Sequence, residues 1–599
     1  MAEAEVPRAR RFLPKPDSAA YHLLLGGVAL LVLGPLGGVT SAYMVFSLGF
    51  TVGGQVLAGI LGSTVTYGYG ADGKHGANYI QTMAASVASM AGMAVLIQAM
   101  VWLGMPMPPA WQLVLYMGCI GMFGIGVGML YTPILVDRLK LEYPSGHAVA
   151  NILRALTDKQ LLRRSISKLG GGTAGGIGLG ALVEHVAKVG ATGVSASTLG
   201  AGLIVGSRIG VPAFVMGVVL HFLAPHFRAI GWLGPHDPFR KIGFLIALAM
   251  IMGAAVVDLA LIAVEAVRRF RGAAGEPTKD EGPGRGLGIR GLIAWVVFWG
   301  VALVIVATSV LHQPVGFIVF AIVLSFVFVF VNGIAAGISD WNPVSSAFVI
   351  AVLLMSALGL RDPVVGMMAA NILLVSCSVG VDMQQDRSTG WRLGSNRAVQ
   401  FRYQAIGIFV GAVLSVVLAN LFMNAYPVLK VDTFAHPEAL VGQWQSAMTF
   451  KFVGAIRDIG HLAPYKIEAL MIGLAVGFTI EVARKLLARS ARWKAYRASG
   501  FGFAVGWVVE AVVLPSPYAA STGGFLELTT TAWYALGSII SSLEATVESR
   551  RARTHAPKPG EDALPEDMST TSLVGGGLIA GESIYTLIAG IVSLLSLLR

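Results

Sequence analysis

The sequence predicts an all-α integral membrane protein that crosses the bilayer about sixteen times. Hydrophobic residues make up 55% of its 599 residues and charged residues only 13%, whereas an ordinary soluble domain carries about a quarter charged residues. The mean hydropathy is +0.72. A chain this long and this apolar cannot bury its hydrophobic segments in one globular core, so most of them must lie in lipid.

A helix needs about 20 apolar residues to span a bilayer, and stretches of roughly that length follow one another along the chain. They are residues 22–45, 48–69, 79–103, 111–136, 168–189, 197–224, 242–266, 291–311, 314–334, 344–360, 364–381, 403–424, 465–486, 500–519, 524–545 and 572–597. The 75 glycines fit this architecture, because close helix packing in lipid favours small residues.

The membrane region divides into two weakly similar halves. A linker at 267–290, with glycine, proline and charged residues, separates residues 21–266 from residues 291–599. The segment 38–41, Gly-Val-Thr-Ser, has a counterpart in residues 339–346. Weak internal symmetry of this kind is typical of duplicated transporter folds.

The net charge of +11 comes from basic residues placed between the apolar spans. Cytoplasmic loops of membrane proteins are basic, so this charge does not indicate nucleic-acid binding. The basic tail 1–20 is expected in the cytoplasm, and the chain in the plasma membrane as a multi-pass protein. Cys119 and Cys377 lie in apolar segments and are expected to be buried thiols. No His/Cys cluster has the spacing of metal ligands.

Residues 143–157 interrupt the helical pattern of the first half. The interruption begins with Tyr143, Pro144, Ser145, Gly146 and His147. A broken segment at membrane depth is tolerated where protein or a water-filled cavity satisfies the freed backbone groups, and in transporters such breaks place helix ends against a substrate. A surface turn between two helices is the alternative. Whether the segment crosses the membrane or is re-entrant stays open, because either choice leaves one basic loop outside.

Polar side chains within the spans mark a candidate substrate pathway. Asn78 and Gln81 lie one helical turn apart, and their amides could donate to a carboxylate and accept from an amine. Hydrogen bonds between helices explain them equally well. Asn342 and Pro343 form a second break that could face the first by symmetry. Further pathway candidates are Arg208, Asp382 and Gln384. Most of the arginine-rich stretch 382–402 is predicted to be a cytoplasmic loop.

Two carboxylates, Glu510 and Glu582, are the candidates for proton coupling. Both lie inside apolar spans, where a charge is expensive, and a low dielectric favours the protonated form of a carboxyl group. No basic residue is close to Glu582 in the sequence. Glu582 is therefore expected to face a polar cavity or to stay protonated. A structural ion pair is the alternative for both residues.

Together these motifs resemble the oligopeptide transporter (OPT) family, in its prokaryotic branch. Tyr143-Pro144-Ser145-Gly146 followed by a small, apolar helix looks like a signature of that family. Four more stretches resemble family segments in the same order, namely residues 78–82, 342–345, 382–391 and 577–583.

The resemblance implies a secondary active transporter in the plasma membrane, which is the inner membrane in a bacterium. It would carry short peptides or amino-acid-like metal chelates, and its coupling ion would be a proton. No cofactor is expected, and because no His/Cys cluster has the spacing of metal ligands, a transported metal would arrive already chelated.

Two other functions remain open. An intramembrane serine hydrolase would use Ser145 as its nucleophile and His147, His185 or His221 as its base. Nucleophile and base need to be within hydrogen-bond reach, and His147 is only two residues from Ser145, where helix positions diverge. A passive channel would not concentrate its substrate. We therefore expect a transporter rather than an enzyme.

Overall fold

The computed structural model shows a helical protein, as the sequence predicts. It describes residues 13–49, 54–141, 143, 146, 149–150, 153, 159–190, 192–272, 288–339, 342, 344–436, 444–457, 459, 464–554 and 569–597. In this part of the chain there are helices, turns and loops but no β-strands. Cys119 and Cys377 are buried free thiols, as predicted.

The first half contributes nine principal helices to the described residues. They are α1 (Ala19–Ser47), α2 (Gly54–Thr66), α3 (Gly73–Gly92), α4 (Ala94–Trp102), α5 (Ala110–Thr132), α6 (Lys159–His185), α7 (Ala196–Val205), α8 (Ser207–Ala229) and α9 (Arg240–Gly272). Smaller elements are the 3₁₀ helix Tyr67–Asp72, the π-helical turn Pro133–Arg138 and the helix Ala187–Gly190. The single span predicted over 197–224 is wrong, because Gly206 adopts a φ of +74° and ends α7 before α8 begins.

The second half contributes twelve principal helices to the described residues. They are α10 (Ile289–Ile305), α11 (Val315–Ser339), α12 (Val344–Ala357), α13 (Pro363–Leu393), α14 (Arg397–Ala425), α15 (Ala447–Arg457), α16 (Pro464–Arg489), α17 (Ala491–Arg497), α18 (Gly500–Val508), α19 (Pro517–Phe525), α20 (Leu528–Thr554) and α21 (Thr570–Leu597). Smaller elements are the π-helical turns Val306–Val310 and Val509–Val513 and the 3₁₀ helix Pro427–Lys430.

Eight helices within the described residues are long and apolar enough to cross a membrane. The count is nine if the pair Gly500–Val513 and Pro517–Gly524, bent by 47°, forms one span. This confirms an all-α, multi-pass membrane protein. The larger number of about sixteen spans counts shorter apolar helices as well and stays a prediction. Residues 273–287 of the predicted linker lie outside the described residues, and the domain boundaries also stay predictions.

The two halves pack reciprocally. In the first half, α3 packs along α14 of the second half; in the second half, α13 packs along α5 of the first half. Two helices cover each of these central helices: α1 and α2 pack on α3, and α11 and α12 pack on α13. Farther along the chain, α6 pairs with α21 and α16 pairs with α9. Helices α3 and α13 meet at Ser89 and Ser378, whose hydroxyl oxygens are 3.1 Å apart. Reciprocal packing of this kind is typical of duplicated transporter folds, and the division into two similar halves stays a prediction.

The connections that follow α5 and α14 repeat the same backbone feature. Tyr143 has a φ of +46°, and its amide donates to the carbonyl oxygen of Gly337 at 2.9 Å. Ser446 has a φ of +43°, and its amide donates to the carbonyl oxygen of Phe46, also at 2.9 Å. Each half therefore ties its own irregular segment to the end of a helix from the other half.

Helix α13 is longer than the sequence predicts. It continues to Leu393, where Gly394 adopts a left-handed φ of +74° and ends it, and Asn396 caps the following α14. The cytoplasmic loop predicted over 382–402 is therefore wrong, since only 394–396 separate the two helices. Gln384, Asp386 and Arg397 of this stretch contact other segments of the protein, so the polarity of the stretch does not mark a loop in water.

Candidate functional site

A buried polar cluster lies where α3, α13 and α14 meet. The side-chain amide of Gln81 donates to Oδ1 of Asp386 at 2.7 Å. The side-chain amide of Gln400 donates to Oγ1 of Thr82 at 3.2 Å and to the carbonyl oxygen of Asp386 at 2.5 Å. All four side chains are at most 1% exposed. We call these residues, with Asn78 and Gln404, the buried polar cluster.

Several atoms of the buried polar cluster have no hydrogen-bond partner in the part of the chain that the structure describes. They are Nδ2 and Oδ1 of Asn78, Oδ2 of Asp386, and Oε1 of Gln81, Gln400 and Gln404. Buried polar groups in native proteins are nearly always paired, and each unpaired group costs about 1–3 kcal/mol. Such a concentration of unpaired groups is typical of a site shaped for a polar ligand.

An internal space adjoins the cluster. Asp382, one helical turn before Asp386 on α13, is partly exposed, and so are Ser89 of α3 and Gln385 of α13. Their neighbours along both helices are buried. The partial exposure of these three side chains indicates a gap between α3 and α13 at this level. The predicted residue Asp382 lines this space.

The first broken segment packs against the polar end of α13. The hydroxyl of Tyr143 donates to Oε1 of Gln384 at 3.4 Å, and the carbonyl oxygen of Gly146 accepts from Oγ1 of Thr389 at 3.0 Å. Tyr143 is fully buried. The structure therefore brings three of the predicted pathway residues, Tyr143, Gly146 and Gln384, to one end of α13.

Gly146 permits an unusually close approach between the segment and α13. A Cβ atom at this position would lie 2.9 Å from the carbonyl oxygen of Gln385 and 3.2 Å from Oγ1 of Thr389. Both distances are shorter than ordinary van der Waals contact, so a larger residue would push the segment away from the helix.

The second break lies between α11 and α12 and meets the first one. The side-chain amide of Asn332 donates to Oδ1 of Asn342 at 3.1 Å, and Nδ2 of Asn342 donates to the carbonyl oxygen of Cys377 at 3.2 Å. Gly337, in the last turn of α11, accepts from the amide of Tyr143. The two breaks are thus joined by a backbone hydrogen bond beside α13.

Four of the predicted residues, Pro144, Ser145, His147 and Pro343, lie outside the described residues. Their roles in the pathway stay predictions, as does the Ser145 and His147 pair of the hydrolase hypothesis. The other two candidate bases occupy separate places. Nε2 of His185 is 3.1 Å from the hydroxyl oxygen of Tyr585, and the ring of His221 contacts that of Phe239 edge-on.

Glu510 and Arg208 belong to an ion-pair cluster that joins α8 to the turn after α18. The carboxylate of Glu510 lies 2.5 Å from Nη1 of Arg497 and 3.4 Å from Nε of Arg208. The Arg208 side chain is 56% exposed. Glu510 thus has two cationic partners on neighbouring helices, and the ion-pair alternative describes it well.

Glu582 holds the N-terminus of α7. Its Oε2 accepts from the hydroxyl of Ser195 at 2.8 Å and from the amide of Ser197 at 2.6 Å, and its Oε1 accepts from the amide of Ala196 at 3.0 Å. A helix N-terminus stabilises negative charge. The structure thus gives Glu582 partners that the sequence did not indicate, namely one hydroxyl and two backbone amides from a distant segment, and its role in proton coupling stays a prediction. This geometry favours a capping role.

Sequence reasoning did not find Asp386, Gln400 and Gln404. One signal was present: Asp382, Asp386 and Thr389 recur at intervals of four and three residues, which places them on one face of a helix. Among the described residues, no group of three or more His, Cys, Asp or Glu side chains could hold a metal ion. The described side chains of the site are amides, carboxylates and a hydroxyl.

Comparisons with known proteins give two results. The family described as OPT oligopeptide transporter protein matches residues 27–227 and 289–592. The probable metal-nicotianamine transporter YSL8 of Oryza sativa subsp. japonica is 23% identical over 280 residues, which cover 46% of this chain and 35% of that protein. The chain thus spans about a third of that relative's length.

Proposed function

We propose a substrate class and a driving force for this chain, which belongs to the oligopeptide transporter family and is therefore a membrane transporter. We infer that it is a secondary active transporter of amino-acid-like metal chelates, driven by protons. The observation that supports this most is the buried polar cluster, whose unpaired atoms lie beside the junction of two broken segments.

The unpaired atoms suit a ligand with both carboxylate and amine groups. Nδ2 of Asn78 is a free donor, whereas Oε1 of Gln81 and Oε1 of Gln400 are free acceptors among the described residues. A carboxylate accepts and an amine donates, so an amino-acid-like ligand satisfies both kinds of atom. Metal chelates of amino-acid type and short peptides share this chemistry. The relative named for metal-nicotianamine transport favours chelates, and short peptides are the second candidate.

Asp386 and Asp382 are the carboxyl groups best placed for proton coupling. Acidic residues inside membrane spans mark proton relays in pumps and transporters. Asp386 is bonded by a neutral amide rather than by a cation, and its Oδ2 is unpaired within the described chain. Asp382 lines the internal space one turn away. A proton could therefore reach the cluster without passing through the ion pairs of Glu510.

Proteoliposomes that contain the purified protein test the proposal. We expect radiolabelled nickel–nicotianamine to accumulate above its equilibrium level under an inward proton gradient, and a protonophore to abolish that accumulation. Accumulation of di- to pentapeptides but not of the chelate would contradict the substrate proposal. Equilibration without accumulation would contradict coupling and indicate a channel.

A further inference from the structure

Among the residues that the structure describes, Arg387 is a buried cation without a bonded anion. Its side chain is 5% exposed, and its Nε and Nη1 have no hydrogen-bond partner there. Arginine stays charged in proteins, and a buried charge left unpaired is strongly destabilising. A guanidinium group in this position therefore needs an anion as its partner. None of the described residues supplies an anion that is bonded to it.

The charged groups around Arg387 leave an excess of positive charge. Arg387 interacts electrostatically with Arg397, Asp137 and Tyr79. The single carboxylate among these three pairs with Arg397, because Oδ2 of Asp137 lies 2.7 Å from Nη2 of Arg397, while its Oδ1 has no partner among the described residues and bonds no atom of Arg387. Two guanidinium groups thus share one carboxylate. The phenol of Tyr79 is also engaged, since its oxygen accepts from the amide of Asn396 at 3.0 Å.

The preceding residue does not neutralise Arg387 either. The carboxylate of Asp386 is directed at Gln81, from which Oδ1 accepts a hydrogen bond. Consecutive positions on a helix point about 100° apart. Asp386 and Arg387 therefore lie on the same turn of α13 but point in different directions. The carboxylate of Asp386 is a hydrogen-bond acceptor, and the guanidinium group of Arg387 is a donor. Asn78, on the neighbouring α3, adds an unpaired amide beside Tyr79 and one turn before Gln81.

We propose that Arg387 is the anion-binding residue of the transport pathway and that it binds a carboxylate of the substrate. The proposal rests on the proposed function, since it names the group by which the substrate of that pathway is held. The planar guanidinium matches a carboxylate better than any other side chain does. Arg387 binds the carboxylate end of the ligand, while Asp386 and the free amide oxygens receive its amine groups. The substrate must then carry a free carboxylate, and its neutral amide analogue is excluded.

A binding experiment on the full-length protein in detergent tests the anion site without any assumption about transport. The probes are glutarate, a dicarboxylate, and glutaramide, its neutral amide. We expect glutarate to raise the midpoint temperature of unfolding of the wild-type protein and glutaramide to leave it unchanged. Arg387→Gln and Arg387→Lys, the latter keeping the charge without the planar fork, should both weaken the glutarate effect. Arg402→Gln, which changes an exposed arginine of α14, is the matched control and should keep it.

The proposal would be overturned if glutarate raised the midpoint temperature of Arg387→Gln as much as that of the wild-type protein. It would also be overturned if glutaramide raised the midpoint temperature of the wild-type protein, or if glutarate did not. Transport supplies an independent readout. We expect the KM for nickel–nicotianamine to rise about tenfold or more in Arg387→Gln, as fits the loss of a hydrogen bond between charged groups. If the wild-type protein does not transport nickel–nicotianamine but the stabilisation by glutarate depends on Arg387, the proposed substrate is wrong and the proposed anion site is supported.

Discussion

The close approach of Gly146 to α13 yields a prediction whose size follows from the distances around it. Replacing Gly146 by alanine places a methyl carbon 2.9 Å from the carbonyl oxygen of Gln385, where ordinary contact begins at 3.4 Å. The segment must therefore withdraw by about 0.5 Å. That withdrawal also stretches the 3.0 Å hydrogen bond from Thr389 to the carbonyl oxygen of Gly146.

Overpacking of this kind costs about 1–3 kcal/mol, and the weakened hydrogen bond adds roughly 1 kcal/mol. Each 1.4 kcal/mol or so is a factor of ten in an equilibrium. The conformation with the segment against α13 thus becomes disfavoured by about thirtyfold to several hundredfold. If transport passes through this conformation, we expect the initial uptake rate of Gly146→Ala to fall at least about tenfold. The larger Gly146→Leu should abolish transport while leaving the protein in the membrane.

The measurement is proton-driven uptake of nickel–nicotianamine into proteoliposomes that contain equal amounts of each variant. Thermal unfolding in detergent checks that the variants remain folded. Gly170→Ala is the matched control, because none of the described residues lies within 4 Å of the carbon it adds. An uptake rate for Gly146→Ala close to that of the wild-type protein would refute the reasoning and reduce the first break to an ordinary connection.

Three further predictions separate coupling, capping and topology. Asp386→Asn should abolish proton-driven accumulation but leave exchange of substrate, with Asp362→Asn at the start of α13 as control; continued accumulation would remove Asp386 from the coupling step. Glu582→Gln should lower the midpoint temperature of unfolding, because a charge at a helix N-terminus contributes about 0.3–1 kcal/mol, and should keep accumulation; its loss would restore a proton-carrying role. Cysteine labels at Thr278 and Ala4 should react from the same side of the membrane, and reaction from opposite sides would show that 143–157 does not cross.

Local signals in the sequence predicted the class of protein and the two breaks. Hydropathy indicates which segments lie in lipid, and glycine and proline indicate where the backbone departs from a helix. Both kinds of signal are contained in short stretches of sequence. Asn78 and Gln81 were identified as polar groups of an apolar span, and Gln384 as a pathway candidate within the polar stretch 382–402. The structure places Gln81 and Gln384 against α13 and the first break.

Long-range pairs could not be predicted in this way. The donors to Glu582 come from residues more than 380 positions away, so the absence of nearby basic residues said nothing about its partners. Arg387 was assigned to a loop because its neighbours are polar and basic. The helix continues through them, since Gly394 ends α13 only after Leu393, and the burial of Arg387 becomes evident only when α3 and α14 are in place.

The two equivalent connections at Tyr143 and Ser446 differ in how completely the polar groups near them are hydrogen-bonded. This difference is relevant to how the two halves of the protein arose. Beside Ser446, the side chain of Gln98 donates to Oγ of Ser446 and accepts from Oγ1 of Thr449, so its hydrogen bonds are satisfied within the chain. Beside Tyr143, Gln384 is likewise bonded within the chain, but farther along α13 and on α3, Arg387 and Asn78 keep atoms that no described residue pairs. In an assembly of two identical subunits, the two connections would have identical surroundings. If the two halves descend from one duplicated gene, fusion into a single chain would allow one connection to satisfy its hydrogen bonds internally while polar groups near the other were kept for a ligand.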